Sequence, residues 1–251
     1  MIDVYYPYFE AESTWQELRY SLRSVEQNFK FDYRVVIVGD LPEWINPDLV
    51  LYIPHQRIEG ITQNTLYDAI TKLLIFCNHP ETSLHFLRMY DDIYILKPVD
   101  LPMVGQFKAM YPFNQVPARD GTWWDQLYHT MDALRAKGYH GYNTETHLPE
   151  LFNKENMKWI ISAYSALENR LLTSTLYYNV FFPFSKPLLF SKDFAVQFYN
   201  NIDGPFYTSS EGDLRVKCQG KTYLNHNDAG LNENLKTYIH SLFPAKSRFE
   251  L

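Results

Sequence analysis

The strongest constraint on the fold is that short β-type runs alternate with helical patterns through the first 99 residues. The run from Tyr33 to Gly39 is rich in β-branched residues, which is typical of a parallel strand covered on both faces. Strands that alternate with helices predict an α/β fold with a mainly parallel sheet. The predicted strands are Ile2–Tyr6, Tyr33–Gly39, Leu49–Ile53 and Leu84–Met89, with Ile93–Leu96 as a further β-rich run, and the predicted helices are Trp15–Phe29 and Asn64–Phe76.

The second half of the chain has a looser pattern, rich in proline and aromatic residues. No repeat or linker separates the halves, and 251 residues with 46% hydrophobic content can bury one sizeable core. We therefore expect a single domain over residues 1–251, with a core in residues 1–99 and a helical and loop cap in residues 100–251 that returns to the core. The predicted helices of the cap are Trp124–Lys137, Lys154–Leu167 and Asn232–Leu242.

Charge and cysteine content narrow the classes of function. The formal net charge of -6 provides no global positive field, so a nucleic-acid acceptor is possible but not favoured. Cys77 and Cys218 belong to no metal-ligand pattern, which disfavours structural zinc and thiol chemistry. The chain has no run of 18 apolar residues and no signal-peptide pattern at its start, so we expect a cytoplasmic protein without a membrane span.

Two adjacent carboxylates, Asp91 and Asp92, follow the predicted strand Leu84–Met89. The carboxyl ends of parallel strands are where open α/β sheets bind ligands. Carboxylates there suit a divalent cation such as Mg²⁺ or Mn²⁺, which takes oxygen ligands and bridges diphosphate oxygens. The pattern therefore predicts a metal site, and the alternative is a solvated turn in which the carboxylates cap a helix or form salt bridges.

Three further segments contain candidate residues. His147, in THLPELFNK, is suited to proton transfer near neutral pH, although most loop histidines only pack or face solvent. Arg170 can bind a phosphate through two hydrogen bonds, or it can pair with Glu168 on a helix surface. The segment YLNHND contains Asn225 and Asp228, which are potential ligands and also common turn residues.

These segments occur in an order that resembles the Stealth family, which includes bacterial capsular polysaccharide phosphotransferases and the lysosomal-enzyme N-acetylglucosamine-1-phosphotransferase. The likeness spans most of the chain, and ELRYSLRS upstream of an Asp-Asp strand end is its most specific part. The matching segments are IDVYY, ELRYSLRSVEQNF, VVIVGDLPEWI, a strand ending in PHQ, HFLRMYDDIYILKPV, THLPELFNK, YLNHND and YIHSLFPAKSRFE.

The resemblance implies a nucleotide-sugar-binding (GT-A-like) sheet and an acceptor-side cap. It also implies metal-dependent transfer of a hexose 1-phosphate from a UDP-sugar donor to a hydroxyl of a glycan or another acceptor. The implied roles are metal binding by Asp91, Asp92 and Asp228, catalysis by Asp92, His147 and Arg170, and substrate binding by Arg19, Arg23, Asn64 and Asn225.

The chain also departs from the family pattern, and the departures keep other functions open. Tyr90 stands where family members commonly have an Asn before the acid pair, which is Asp91 and Asp92 here. Ser174 lies where an acidic residue often follows the arginine that corresponds to Arg170. His226 lies where an acidic residue is usual in the tail segment. One alternative is a glycosyltransferase that moves the sugar itself and releases UDP, with a glycan or a modified nucleobase as acceptor. Another is an inactive relative that binds carbohydrate through its aromatic side chains.

Overall fold

The computed structural model describes residues 1–57, 65–199 and 211–251. Its first half contains β1 (Ile2–Tyr8), α1 (Glu17–Asn28), β2 (Tyr33–Gly39), β3 (Val50–Pro54), α2 (Thr65–Asn78), β4 (His85–Arg88), β5 (Ile93–Ile95) and α3 (Leu101–Val104). The second half contains β6 (Lys108–Ala109), β7 (Tyr111–Pro112), α4 (Thr122–Arg135), β8 (Tyr142–Asn143), β9 (Glu150–Asn153), α5 (Lys154–Ala163), α6 (Thr173–Phe181), β10 (Leu188–Leu189), β11 (Ala195–Phe198), α7 (Glu211–Cys218), β12 (Tyr223–His226) and α8 (Glu233–Leu242). Asn64, a predicted substrate ligand, lies outside the described residues.

The main sheet confirms the predicted α/β class. Its strand order is β3-β2-β1-β4-β9. The first four strands are parallel, and β9 pairs with β4 in the antiparallel sense. Parallel strands end at the same edge of a sheet, so the segments that follow β1, β2, β3 and β4 meet at one edge.

Both faces of this sheet are covered, as the run Tyr33–Gly39 predicts. In β1, Val4 and Tyr6 point to one face and Tyr5 to the other, and all three are buried. The face of Tyr5 packs against α2, α4, α5 and α6, whereas the face of Val4 packs against α1. This two-sided burial makes the sheet the rigid support of the residues at its edge.

A second, three-stranded sheet of order β11-β12-β5 joins the end of the chain to the turn after β4. Strand β12 is antiparallel to β5, and their register places Asn225 opposite Ile93. Ile93 is the residue directly after Asp92. The second sheet therefore brings the YLNHND segment to the predicted acid pair, although the two are far apart in sequence.

Residues after position 99 also contribute to the hydrophobic core. Strand β9 belongs to the main sheet, and helices α5 and α6 pack in the same hydrophobic cluster as α2. Sequence patterns missed β9 because only four residues form it, and they missed α6 because its aromatic residues face several neighbours rather than one stripe. Among the described residues, no helix has both the length and the apolar character needed to cross a membrane.

Candidate active site

The acid pair lies where the sequence predicts it, in the turn between β4 and β5 at the carboxyl edge of the main sheet. Both Asp91 and Asp92 are half-buried. Strand β4 is flanked by β1 and β9, so this turn emerges from the interior of the sheet rather than from its side. That position is typical of ligand sites in open α/β sheets.

His147 is joined to this pair through Asp92. The imidazole Nε2 of His147 lies 2.7 Å from Oδ1 and 2.9 Å from Oδ2 of Asp92. Because a carboxylate accepts, Nε2 carries the proton and donates it, which leaves Nδ1 as the ring nitrogen that can exchange a proton with another group. Burial lowers the pKa of His147, but the charge and the hydrogen bond of Asp92 outweigh burial, so the pKa is raised above 6.5.

The orientation of His147 is maintained by its neighbours. Its ring stacks on Tyr90, with ring centroids 4.9 Å apart and planes 2° from parallel. The backbone of His147 has a φ of 51°, a left-handed conformation that costs free energy in a residue other than glycine. The side-chain amide of Asn225 donates to the carbonyl of His147, and the amide of Gln197 donates to the carbonyl of Thr146 at 2.8 Å. Such conformations persist only where the surroundings enforce them, and they cluster at active sites.

The surroundings of Asp91 are strongly negative. Burial, the charge of Asp92 and the charge of Glu17 together raise the pKa of Asp91 to about 8. Glu17 is buried at the start of α1, where its carboxylate accepts from Ser13 Oγ at 2.8 Å and from Thr14 Oγ1 at 2.9 Å. A bound cation would stabilise the charged form of Asp91 against this environment, so the arrangement favours cation binding.

Several oxygen atoms at this edge of the sheet are suitable ligands for a divalent cation such as Mg²⁺ or Mn²⁺. Asp91 and Asp92 offer carboxylate oxygens, and the buried Oδ1 of Asn225 accepts no hydrogen bond from any described residue. Within the three described segments, no three His, Cys, Asp or Glu side chains form a group that could hold a metal ion, so Asp91, Asp92 and Asp228 are not assembled as one cluster there. The reason is that Asp92 faces His147, while Asp228 is exposed in a separate turn after β12.

Arg88 and its partners form a buried polar network that the sequence patterns missed. Nη2 of Arg88 lies 2.5 Å from Oε2 of Glu150, and the same oxygen accepts from Ser174 Oγ at 2.9 Å. The guanidinium also lies 5.3 Å from the ring centroid of Tyr90, which in turn stacks on His147. Burial and the charge of Glu150 raise the pKa of neighbouring Glu145 to about 7, even though Arg88 lowers it. A charged residue inside an apolar strand was the available signal, because a buried arginine requires a buried partner.

Arg170 does not take part in the acid pair's network. It is exposed after α5, with a φ of 53°, and among the described residues its side chain forms no hydrogen bond with Asp91, Asp92 or His147. The predicted helix Lys154–Leu167 ends early, at Ala163, and the chain turns twice before α6 begins. These turns bring Thr173 and Ser174, rather than Arg170, to the buried network.

Arg19 and Arg23 share one face of α1, as their spacing predicts, and both approach Glu250. Arg23 donates to both carboxylate oxygens of Glu250, at 2.7 and 2.8 Å, and to the carbonyl of Phe243 at 3.1 Å. Because these partners occupy the guanidinium, Arg23 fastens the end of the chain to α1, and we do not retain it as a substrate ligand. Nε of Arg19 lies 3.4 Å from Oε2 of Glu250, and the side chain also borders a cavity beside α1.

Replacing Glu250 with glutamine should lower the free energy of unfolding at pH 7 by about 1–3 kcal/mol, because hydrogen bonds to a charged group are lost. Burial raises the pKa of Glu250, but hydrogen bonds from Arg23 and Ser247 outweigh burial and hold the pKa below 4.5. This contribution is therefore fully present above pH 4.5 and disappears as the pH falls through the folded-state pKa. Urea unfolding at pH 7 and about pH 3 checks both statements.

The matched control is Glu233→Gln, since Glu233 is 87% exposed and, among the described residues, its ion pair is with Lys236 on its own helix. It should change the free energy of unfolding by less than about 0.5 kcal/mol. A difference between the Glu250→Gln variant and the wild type that stays constant from neutral to low pH would contradict the assigned ion pair.

Comparisons with known proteins add little to this geometry. No protein-family model matches the chain, and no curated protein matches its sequence. The solved structures that resemble it include an active-site mutant of LgtC, a glycosyltransferase, at 9% identity and a TM-score of 0.48, with 98% of each chain covered. A likeness of this degree gives no information about the chemistry of this chain.

Proposed function

We propose that this protein is a metal-dependent transferase that uses a UDP-sugar and moves a hexose 1-phosphate to an acceptor hydroxyl. The observation that carries the proposal is the contact between Asp92 and His147 at the carboxyl edge of a mainly parallel sheet. A histidine held by a carboxylate is a recurring arrangement for general base catalysis, and the carboxyl edge is where such sheets bind nucleotides. The Stealth-like order of the sequence segments supports the choice of donor and reaction.

His147 is the group that we assign to the acceptor hydroxyl. Its Nδ1 receives the acceptor proton, while Asp92 orients the ring and stabilises the imidazolium that forms. The acceptor oxygen then forms a bond to the phosphorus that carries the sugar. The bond between this phosphorus and the bridging oxygen breaks, and UMP leaves with the electron pair.

We assign a Mg²⁺ or Mn²⁺ ion to Asp91, Asp92 and the amide oxygen of Asn225. Two carboxylates together with substrate phosphates are the usual ligands of Mg²⁺ in such sites, so a cluster of three acidic side chains is not required. The ion would neutralise diphosphate charge. The raised pKa of Asp91 and the unsatisfied Oδ1 of Asn225 support a cation here, since a cation would stabilise the Asp91 carboxylate and give that amide oxygen a partner.

The second candidate is a glycosyltransferase that breaks the bond at the anomeric carbon and releases UDP. The position of Arg170 favours it, because the arginine implied to stabilise phosphoryl charge lies exposed and outside the network of the acid pair. Arg88 cannot substitute, because Glu150 and Ser174 occupy its guanidinium inside the core.

The nucleotide released from the donor separates the two candidates. The protein is incubated with Mn²⁺, UDP-glucose or UDP-N-acetylglucosamine and a set of sugar acceptors, and the products are resolved by ion-exchange chromatography. We expect UMP, with release abolished by EDTA and restored by added Mn²⁺. UDP in place of UMP would establish glycosyl transfer. Metal-independent release, or no release with any donor, would contradict the proposed class.

A further inference from the structure

A cavity of about 320 Å³ opens between the segment after β1 and the loop after β2. This volume lies at the lower end of the range of small-ligand sites. Tyr8 is the last residue of β1, which lies beside β4, so the cavity and the acid pair lie at the same edge of the main sheet. Burial, and to a smaller extent the charges of Asp91 and Glu17, raise the pKa of Tyr8 to about 12. The residues of the wall that matter here are Tyr8, Glu10, Trp15, Gln16, Arg19 and Trp44.

Aromatic rings form much of this wall. Trp15 stacks on Tyr20, with ring centroids 4.7 Å apart and planes 13° from parallel. The guanidinium of Arg19 lies 4.6 Å from the ring centroid of Trp44. Each indole is thus fixed by a neighbour and still half-buried at the wall of the cavity. Rigid, flat ring faces of this kind pack against the C–H faces of sugar rings at a low entropic cost.

The polar side chains in the wall of the cavity include hydrogen-bond donors as well as acceptors. Glu10 offers carboxylate oxygens, and Gln16 offers an amide beside Arg19, with 2.7 Å between Gln16 Oε1 and Arg19 Nη1. Nε of Arg19 is buried and donates to no described residue, although Oε2 of Glu250 lies 3.4 Å away. A phosphate would be repelled by Glu10 and by the nearby Glu17, whereas sugar hydroxyls both donate and accept.

We propose that this cavity binds a hexose ring of a saccharide acceptor, stacked on Trp15 and Trp44 and hydrogen-bonded by Arg19 and Gln16. The proposal rests on the proposed transferase function and deepens it by assigning the acceptor sugar to one cavity and its lining residues. A sugar bound there would lie at the carboxyl edge of the main sheet, the edge that also holds the acid pair. Glucose, galactose, N-acetylglucosamine and their methyl glycosides are suitable probes.

Isothermal titration calorimetry of the donor-free protein with each sugar tests the proposal. We expect at least one sugar to bind, and Trp44→Ala to weaken its binding by about tenfold or more. Trp44→Ala keeps the backbone carbonyl that accepts from Leu251, but the loss of the ring can loosen the loop. Gln16→Trp is therefore a second variant, since Gln16 is exposed and a larger side chain there fills the cavity from its rim. It should abolish binding.

Trp159→Ala is the matched control, because this indole is 54% exposed and packs on Phe181, away from the cavity. Its sugar affinity should equal that of the wild type. The proposal is overturned if no sugar binds, if binding survives both cavity variants, or if uridine or inorganic phosphate displaces the sugar. The released-nucleotide assay on the wild type is a separate measurement. Sugar binding without donor cleavage would contradict the proposed transferase function. Donor cleavage without sugar binding would contradict the proposed role of the cavity.

Discussion

Replacing Asp92 with asparagine should lower kcat by about 1,000-fold or more while the protein stays folded. Asparagine preserves the shape of the side chain but removes the charge that holds His147 at 2.7 Å and that we assign to the metal. Without that charge, the imidazole loses both its orientation and the partner that stabilises its protonated form. Steady-state turnover with a UDP-sugar and Mn²⁺ measures the effect.

Stability should change by only about 1 kcal/mol in this variant, because the loss of the His147 contact is offset by reduced repulsion with Asp91. Circular dichroism and urea unfolding verify that the fold is retained. Asp132→Asn is the control, since Asp132 is 71% exposed and its ion pair, within the part of the chain that the structure describes, is with Arg135 on its own helix. Turnover of the Asp92→Asn variant within tenfold of the wild type would remove Asp92 from the catalytic site.

The second large effect should follow from Arg88→Met, which we expect to lower the free energy of unfolding by about 3–5 kcal/mol. The side chains of Arg88 and Glu150 are 8% and 6% exposed, so removing the arginine leaves a buried carboxylate without its cation. The same change removes the donors to Thr173 and Ser174. Urea unfolding at neutral pH measures the loss.

The double variant Arg88→Met with Glu150→Leu separates charge from packing. It should recover most of the lost stability, because replacing both members of a buried pair with apolar residues is often neutral. Arg135→Met removes one member of an exposed pair and should cost less than about 1 kcal/mol. Equal losses from Arg88→Met and Arg135→Met, or a double variant as unstable as Arg88→Met alone, would contradict the buried pair.

The sequence was sufficient for the parallel part of the fold because each of its strands is preceded or followed by a long amphipathic helix. The run Tyr33–Gly39 and the strand before Asp91 correspond to β2 and β4. Periodicity could not reveal β9, whose four residues form a strand only because β4 offers an unpaired edge. The pairing of a short edge strand depends on its partner rather than on its own pattern.

The sequence was enough to predict where the acid pair lies, but not which residues contact it. Asp91 and Asp92 follow a strand, so their place at the sheet edge could be inferred from local pattern. The contact between Asp92 and His147 joins residues 55 positions apart, and no local rule specifies such a pairing. The location of Arg170 could not be inferred from local pattern either, since it depends on where α5 ends and on the turns that follow.

The late position of β9 in the chain has a consequence for biosynthesis. Strand β4 ends at Arg88, but the strand that covers its outer edge begins only at Glu150. While a ribosome adds the intervening residues, the nascent sheet presents an open hydrogen-bonding edge, which is a template for pairing with other chains. A fragment that stops before Glu150 would keep that edge open permanently, so the first 99 residues should aggregate when they are expressed alone.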